Sequence, residues 1–193
     1  MISAIVLAAG ASTRMGRPKA LLSAGPRTFI RRILETLQAG GLSDLVVVVR
    51  PGEEAVRAEI EAAGARAVLN PRADAGQLSS LIAGLDAVDR PGAALAAVLV
   101  TLVDVPLVEA ATVRTLLARA VVSVAPIVRA VHHGRHGHPV IFRRAMFDAL
   151  RRADPAIGAR AVFAAVDVED VEVDDPGVVE DIDTPADYSR LLG

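Results

Sequence analysis

The stretch Leu7-Ala8-Ala9-Gly10-Ala11-Ser12-Thr13-Arg14-Met15-Gly16-Arg17-Pro18-Lys19 decides the fold, because an apolar run enters it and a glycine-punctuated basic loop leaves it. Ahead of the loop, Ile2, Ala4, Ile5, Val6 and Leu7 are near-continuous apolar residues, as in a strand buried on both faces of a parallel sheet. The loop then leaves the carboxyl end of a central strand, where open α/β sheets bind their ligands. Gly10 and Gly16 keep side chains out of the way of backbone N–H groups, Arg14 and Lys19 bring fixed positive charge, and Ser12 and Thr13 add hydroxyls. Together these suit phosphate. Two common phosphate motifs fail on spacing. A P-loop needs lysine directly after its second glycine, where Arg17 and Pro18 follow Gly16, and a dinucleotide fingerprint needs two glycines one residue apart, where Ala11 and Ser12 follow Gly10.

Outward from the loop, Ile30, Ile33, Leu34 and Leu37 recur at helical spacing and Gly40-Gly41 ends the helix. Residues 45–49 read as a second strand, 53–63 as an exposed helix, 67–69 as a third strand and 70–76 as a loop. Leu78, Leu81, Ile82, Leu85 and Val88 mark a further helix, and 96–103 a fourth strand that ends at Asp104. The second half is less regular: a strand over 121–131, a loop over 132–137, a strand over 139–142, a helix around 146–151, a strand over 166–173 and a final helix over 184–192. This alternation predicts an α/β fold, a three-layer, doubly wound, mostly parallel sheet with helices on both faces. A small antiparallel insertion is expected in the second half, and one domain over residues 1–193.

The 193 residues, 52% of them hydrophobic, are enough for one well-buried core. Lys and Arg number 21 against 23 Asp and Glu, so the net charge of −2 argues against nucleic acid and for a small-molecule partner. The absence of cysteine excludes thiolate metal sites, disulfides and cysteine nucleophiles, and fits a reducing cytoplasm. No apolar stretch reads as a signal peptide or a membrane span.

From Leu7 to Lys19 the sequence resembles, without a gap, the nucleotidyltransferase signature L-A-A-G-x-S-x-R-M-G-x-x-K. It is most similar to the MobA-like nucleotidyltransferase family and, within it, to the branch that cytidylylates molybdenum cofactor. Four later blocks carry the same resemblance. Residues 101–108 are similar to the family's metal-binding Asp-x-Pro segment, and residues 181–187 to its D-I-D-T-P-E-D ending. Residues 70–81 resemble its base-reading loop, and Gly137-His138-Pro139-Val140-Ile141-Phe142 its G-x-P-V-x-F segment beside the acceptor.

The resemblance implies Mg²⁺-dependent transfer of CMP from CTP, or of another nucleotide from its triphosphate, to a phosphorylated pterin with release of pyrophosphate. Leu7, Ala8, Ala9, Gly10, Ser12, Arg14, Gly16, Lys19, Asn70, Gly76, Ser79 and Ser80 would bind the nucleotide. Arg14, Lys19 and Asp104 would be catalytic. A carboxylate at a strand end suits Mg²⁺, so Asp104 is the first metal ligand, with Asp183 and then Asp181 as candidates for the second. Arg135, His136 and His138, with Arg129, would meet the acceptor's phosphate; a solvated polar hairpin is the other reading of these residues. Likewise Asp104 could simply open a turn before Pro106, and Ser79 and Ser80 could serve as first-turn caps. All four histidines fall within 132–138, without helical spacing or an interleaved acid, and do not read as a metal site. The sequence departs from the pattern at Ala73, Asp74 and Gln77, where relatives carry an aromatic residue and a methionine. A molybdoenzyme or chaperone is an implied partner. The alternatives are a guanylyl transferase of the same family, an NAD(P)H-dependent oxidoreductase of the nicotine-blue reductase type, and a non-catalytic carrier of molybdenum cofactor.

Overall fold

The computed structural model describes residues 1–192. From the N-terminus run β1 (Ile2–Leu7), the hairpin β2 (Ser23–Ala24) and β3 (Arg27–Thr28), α1 (Phe29–Ala39), β4 (Leu45–Val49), α2 (Glu54–Ala62), β5 (Arg66–Leu69), α3 (Gln77–Val88), β6 (Ala97–Leu102), α4 (Ala110–Val122), β7 (Ile127–His132), β8 (Arg135–Arg143), α5 (Phe147–Arg151), α6 (Arg160–Phe163), β9 (Val168–Glu172) and α7 (Pro185–Leu192). The main sheet has seven strands in the order β5-β4-β1-β6-β8-β7-β9. β1 lies inside it, in parallel register with β4 (Val6 opposite Val47) and with β6 (Val6 opposite Thr101).

An interior parallel strand must be apolar on both faces. Ala4, Val6 and Ala8 point into one core and Ile5, Leu7 and Ala9 into the other. The first core is closed by Ile30, Leu34 and Leu37 of α1, Val56 and Ile60 of α2, and Val113 and Leu116 of α4. Leu81 and Leu85 of α3, Phe147 and Leu150 of α5 and Val162 of α6 close the second. The expected three-layer arrangement follows from this split. No helix among the described residues is long and apolar enough to cross a membrane.

The second half differs from the sequence reading in three ways. Residues 110–122 form α4, and the strand expected over 121–131 begins only at Ile127. The run Val121-Val122-Ser123-Val124 has strand-like composition, yet its three valines are exposed while Val113, Leu116 and Ala120 bury one helical face. Arg143 stops the helix, its guanidinium donating to the carbonyls of Ala120, Ser123 and Ala125. Second, most of the expected loop over 132–137 is strand. Only His133 and Gly134 form the turn, with φ of 49° and 73°, a two-residue hairpin in which both central residues are left-handed. Third, the antiparallel element of the second half is β8 itself, set in the main sheet between β6 and β7, whereas the separate antiparallel pair is β2–β3 in the first half.

A third, smaller cluster holds the C-terminal segment. Leu22, Ala24, Phe29 and Ile182 are buried together, with Tyr188 and Leu191 packed against them. The Tyr188 ring stacks on Phe29 at 6.2 Å and its hydroxyl donates to Ser23 O at 2.9 Å. Ile182→Ala should therefore cost roughly 2–5 kcal/mol of unfolding free energy in chemical denaturation. A change below about 0.5 kcal/mol, the usual size for a surface site, would show that the cluster does not hold the segment.

Candidate functional site

The site is built at the carboxyl edge of β1 and β6. Past β1 the chain makes an excursion and returns. Ser12 adopts φ 49°, and its Oγ accepts the N–H of Lys19 at 3.1 Å, which closes the loop over residues 12–19. Ala20, 3% exposed, anchors the return in the core and leaves the Lys19 side chain at the sheet edge, 11% exposed. Gly10, Arg14 and Gly16 stay open to solvent. The Ala8 and Ala9 methyls pack into the two opposite cores.

Asp104 stands just past β6, whose end is tied to β1 by Val103 N–H to Leu7 O at 3.1 Å. The Asp104 carbonyl accepts Ile182 N–H at 2.8 Å, and the Ile182 side chain is fully buried. An apolar anchor between two acids thus delivers Asp181 and Asp183 to Asp104. Lys19 Nζ contacts Asp183 Oδ1 and lies 3.5 Å from Asp104 Oδ2, while Arg14 Nη2 is 3.1 Å from Asp183 Oδ2. The hydrogen bond from Lys19, and then the charges of Lys19 and Arg14, hold the Asp183 carboxyl below its ordinary range. Asp181 goes the other way, pushed up first by burial and then by the negative charge of Asp104 and Asp183. Thr184 and Asp187 bond reciprocally, Thr184 Oγ1 to Asp187 Oδ2 at 2.7 Å and Asp187 N–H to Thr184 Oγ1 at 3.2 Å, which starts α7 as the sequence suggests.

The donors here suit a hard divalent cation. Asp104 Oδ1 is buried with no hydrogen-bond partner, and Asp181 is raised first by burial and then by the charges of Asp104 and Asp183. Among the described residues no group of three ligating side chains forms a ready metal cluster; a hard divalent ion can take one or two carboxylates and complete its shell with phosphate oxygens and water. Asp104 and Asp183, with Asp181 beside them, would hold it.

The loop over 70–76 is braced from within. Asn70, 2% exposed, donates from Nδ2 to Ser79 Oγ at 2.9 Å and to Ser80 Oγ at 3.0 Å, and its Oδ1 accepts Arg72 N–H at 2.9 Å. Ser79 Oγ lies 2.8 Å from both Arg72 O and Gly76 O. Asn70 and Ser80, expected to meet the nucleotide, thus also brace the loop. Gly76, at φ 94° and ψ 177°, holds a backbone conformation essentially restricted to glycine and turns the chain into α3.

Beside the acids lies a cavity of about 820 Å³ between α3, β8 and residues 155–163. Its apolar wall includes Leu81, Val140, Phe142 and Phe163, and its polar wall Arg129, Arg135, His136, His138, Arg160 and Asp181. The predicted acceptor residues are therefore brought together there, and Asp181 joins the cavity to the acid cluster. Burial pushes the His138 imidazole down while Asp104 pulls it up. Arg129 lies 5.3 Å from the Phe163 ring centre and 2.8 Å from Asp170 Oδ1, and His136 Nε2 is 3.2 Å from Asp170 Oδ2. Arg160 and Phe163 were not legible as site residues, since the segment carries no motif.

Nor was Asp175. Only 3% exposed, it accepts Glu109 N–H at 2.9 Å, Thr112 Oγ1–H at 2.6 Å and Gly177 N–H at 3.0 Å, tying the segment that leads to Asp181 onto the start of α4. A Cβ on Gly137 would sit 2.0 Å from Val178 O, so β8 and this segment touch backbone to backbone.

Residues 4–171 match the family described as MobA-like NTP transferase domain. The nicotine blue oxidoreductase of Paenarthrobacter nicotinovorans is 30% identical over 203 residues, covering 99% of this chain and 96% of that protein. Among solved structures, Rv0371c of Mycobacterium tuberculosis H37Rv is 30% identical with a TM-score of 0.84, covering 99% of this chain and 96% of that one. Its complex with manganese gives 29% identity and a TM-score of 0.79, covering 99% and 97%.

Two substitutions test the bracing. Gly137→Ala should cost about 1–3 kcal/mol, because the obstructing atom is backbone and cannot rotate away. Asn70→Ala should cost about 1–3 kcal/mol by leaving buried polar groups unpaired, and should speed amide exchange across 70–80. Unchanged exchange there would mean that Asn70 does not organise the loop.

Proposed function

Since the chain belongs to the MobA-like NTP transferase family, we propose that it transfers CMP from CTP to molybdopterin, the phosphorylated pterin of the molybdenum cofactor, and releases pyrophosphate. The supporting observation is the meeting of Lys19, Asp104 and Asp183 at the carboxyl edge of β1 and β6. An oxygen of the acceptor phosphate attacks the α-phosphorus of CTP, and the bond from that phosphorus to the pyrophosphate oxygen breaks. Little covalent chemistry falls to the protein, and catalysis is positioning and charge stabilisation.

One chain over residues 1–193 supplies both halves of the site. Arg14 and Lys19 neutralise the β- and γ-phosphates and stabilise the pyrophosphate as it departs. The open backbone around Gly10 and Gly16 contributes N–H donors to the same oxygens. Asp104 and Asp183 would hold Mg²⁺, which supplies charge neutralisation at the α-phosphate. In the cavity, Arg129, Arg135 and Arg160 face the acceptor's phosphate and the Phe142–Phe163 wall suits a flat heterocycle. Consumption of a nucleoside triphosphate and the absence of cysteine support a cytoplasmic reaction.

A second reading rests on the nicotine blue oxidoreductase, 30% identical across 99% of the chain. Under it the cradle takes NAD(P)H and the cavity a flat organic substrate. A thermal-shift panel with CTP, GTP, UTP and NADPH, each with and without Mg²⁺, separates the two. A ligand at a hundred times its Kd adds about 2.7 kcal/mol. Stabilisation by CTP with Mg²⁺ alone is the expected result, and stabilisation by NADPH alone would replace the transferase reading with the second. Asp104→Ala should abolish pyrophosphate release from CTP, Mg²⁺ and acceptor while the circular dichroism spectrum stays unchanged. Wild-type turnover in that variant would remove Asp104 from the metal site.

A further inference from the structure

The ammonium of Lys19 stands where the acid cluster would hold a divalent cation. It contacts Asp183 Oδ1, lies 3.5 Å from Asp104 Oδ2, and is largely withdrawn from solvent. Arg14 takes the other oxygen of Asp183 at 3.1 Å. Three of the four oxygens on the two candidate ligands are thus already facing protein cations, and the fourth, Asp104 Oδ1, is buried without a partner.

A cation this close to a carboxylate competes with any other positive species that seeks it. For the proton, an opposite charge within about 4–6 Å commonly lowers a carboxylate's affinity by about one to three pK units, tenfold or more. A divalent ion carries twice the charge and meets the same opposition. Lys19 also has somewhere else to go, because its flexible stem carries three donors and its backbone is pinned by Ser12 in the loop that faces a phosphate ligand. A triphosphate offers the ammonium several oxygens in place of the two it leaves.

Resting on the nucleotide reading above, we infer that Lys19 determines what the acid cluster accepts. It holds Asp104 and Asp183 against a free divalent cation and surrenders them when a triphosphate draws its ammonium away, so that cation and triphosphate enter as a pair. Such coupling is reciprocal: whatever factor the triphosphate adds to cation affinity, the cation adds to triphosphate affinity. The pairing keeps the site from filling with free metal ion and fixes the order of assembly before the acceptor arrives.

The test uses the whole chain and two probes, MnCl₂ alone and a CTP analogue with a methylene bridge between its α- and β-phosphates. Binding of Mn²⁺ alone is followed by the electron paramagnetic resonance signal of the free ion. The expected result is weak binding by wild type and by Lys19→Arg, and binding tighter by about tenfold or more in Lys19→Met. Adding Asp104→Asn to Lys19→Met should cancel the gain, which locates it at this cluster. By calorimetry, Mn²⁺ should raise the wild-type affinity for the analogue by about tenfold or more, and by less in Lys19→Met. If Lys19→Met does not fold, Lys19→Gln makes the same comparison. Equal or weaker Mn²⁺ binding in the uncharged variants, with the analogue still bound by wild type, overturns this inference and leaves the nucleotide reading standing. Tighter Mn²⁺ binding in those variants with no response to the analogue sinks the nucleotide reading, and with it the paired entry, while Lys19's opposition to the free cation holds.

Discussion

One backbone hydrogen bond brings the C-terminal segment to the end of the mid-chain strand β6 at the site: Ile182 N–H to Asp104 C=O, 2.8 Å. It is the backbone bond that joins the acids at 181 and 183 directly to the strand end at 104. Its strength alone is modest, since a peptide hydrogen bond nets only about 0.5–1.5 kcal/mol over solvation by water. What fixes it is the fully buried Ile182 side chain, which locks the segment against Phe29 and Leu22. Burying a side chain of this size contributes about 1.5–3 kcal/mol. A hydrophobic anchor thus places a charged site. The acids themselves could not, because three carboxylates repel one another.

That repulsion explains the cations around them. Asp104, Asp181 and Asp183 oppose one another across a partly desolvated edge, and Lys19 and Arg14 offset the cost. The compensation is uneven. Asp183 receives both cations, Asp104 shares one, and Asp181 faces the cavity with its carboxyl pushed up. A site balanced in this way suits a ligand that brings positive charge to the acids and negative charge to the basic loop.

The fold was legible in the first half of the chain because both kinds of pattern were clean there. Strand β1 is apolar but for Ser3, and α1 repeats its buried residues at helical spacing. The second half blurred where composition and position disagreed. Three exposed valines at 121, 122 and 124 argued for strand, while the helical spacing of Val113, Leu116 and Ala120 was the better guide. Within the site, residues announced by a motif, such as Lys19, Asp104 and Asp183, do meet. Residues whose role depends on burial escaped the sequence. Asp175 is one acid in an acid-rich stretch, distinguished only by the three donors that fold around it. Nor does the motif that names Asn70 and Ser80 reveal that they bond to each other.

The same fold can serve nucleotidyl transfer and hydride transfer, so the choice between them must come from the site and not from the sheet. A dinucleotide carries a pyrophosphate, whose negative charge would face three carboxylates held within one cluster. Hydride transfer gives those carboxylates nothing to do, and their mutual repulsion would be a cost without a return. Nucleotidyl transfer would use both signs of charge: the acids would hold a cation, and the basic loop would receive the departing pyrophosphate. The neighbouring cavity, apolar on one wall and cationic on the other, suits an anionic flat acceptor in either chemistry and does not discriminate. The oxygen of Asp104 that is buried without a hydrogen-bond partner would be a liability in a dinucleotide site and would suit a metal-assisted one.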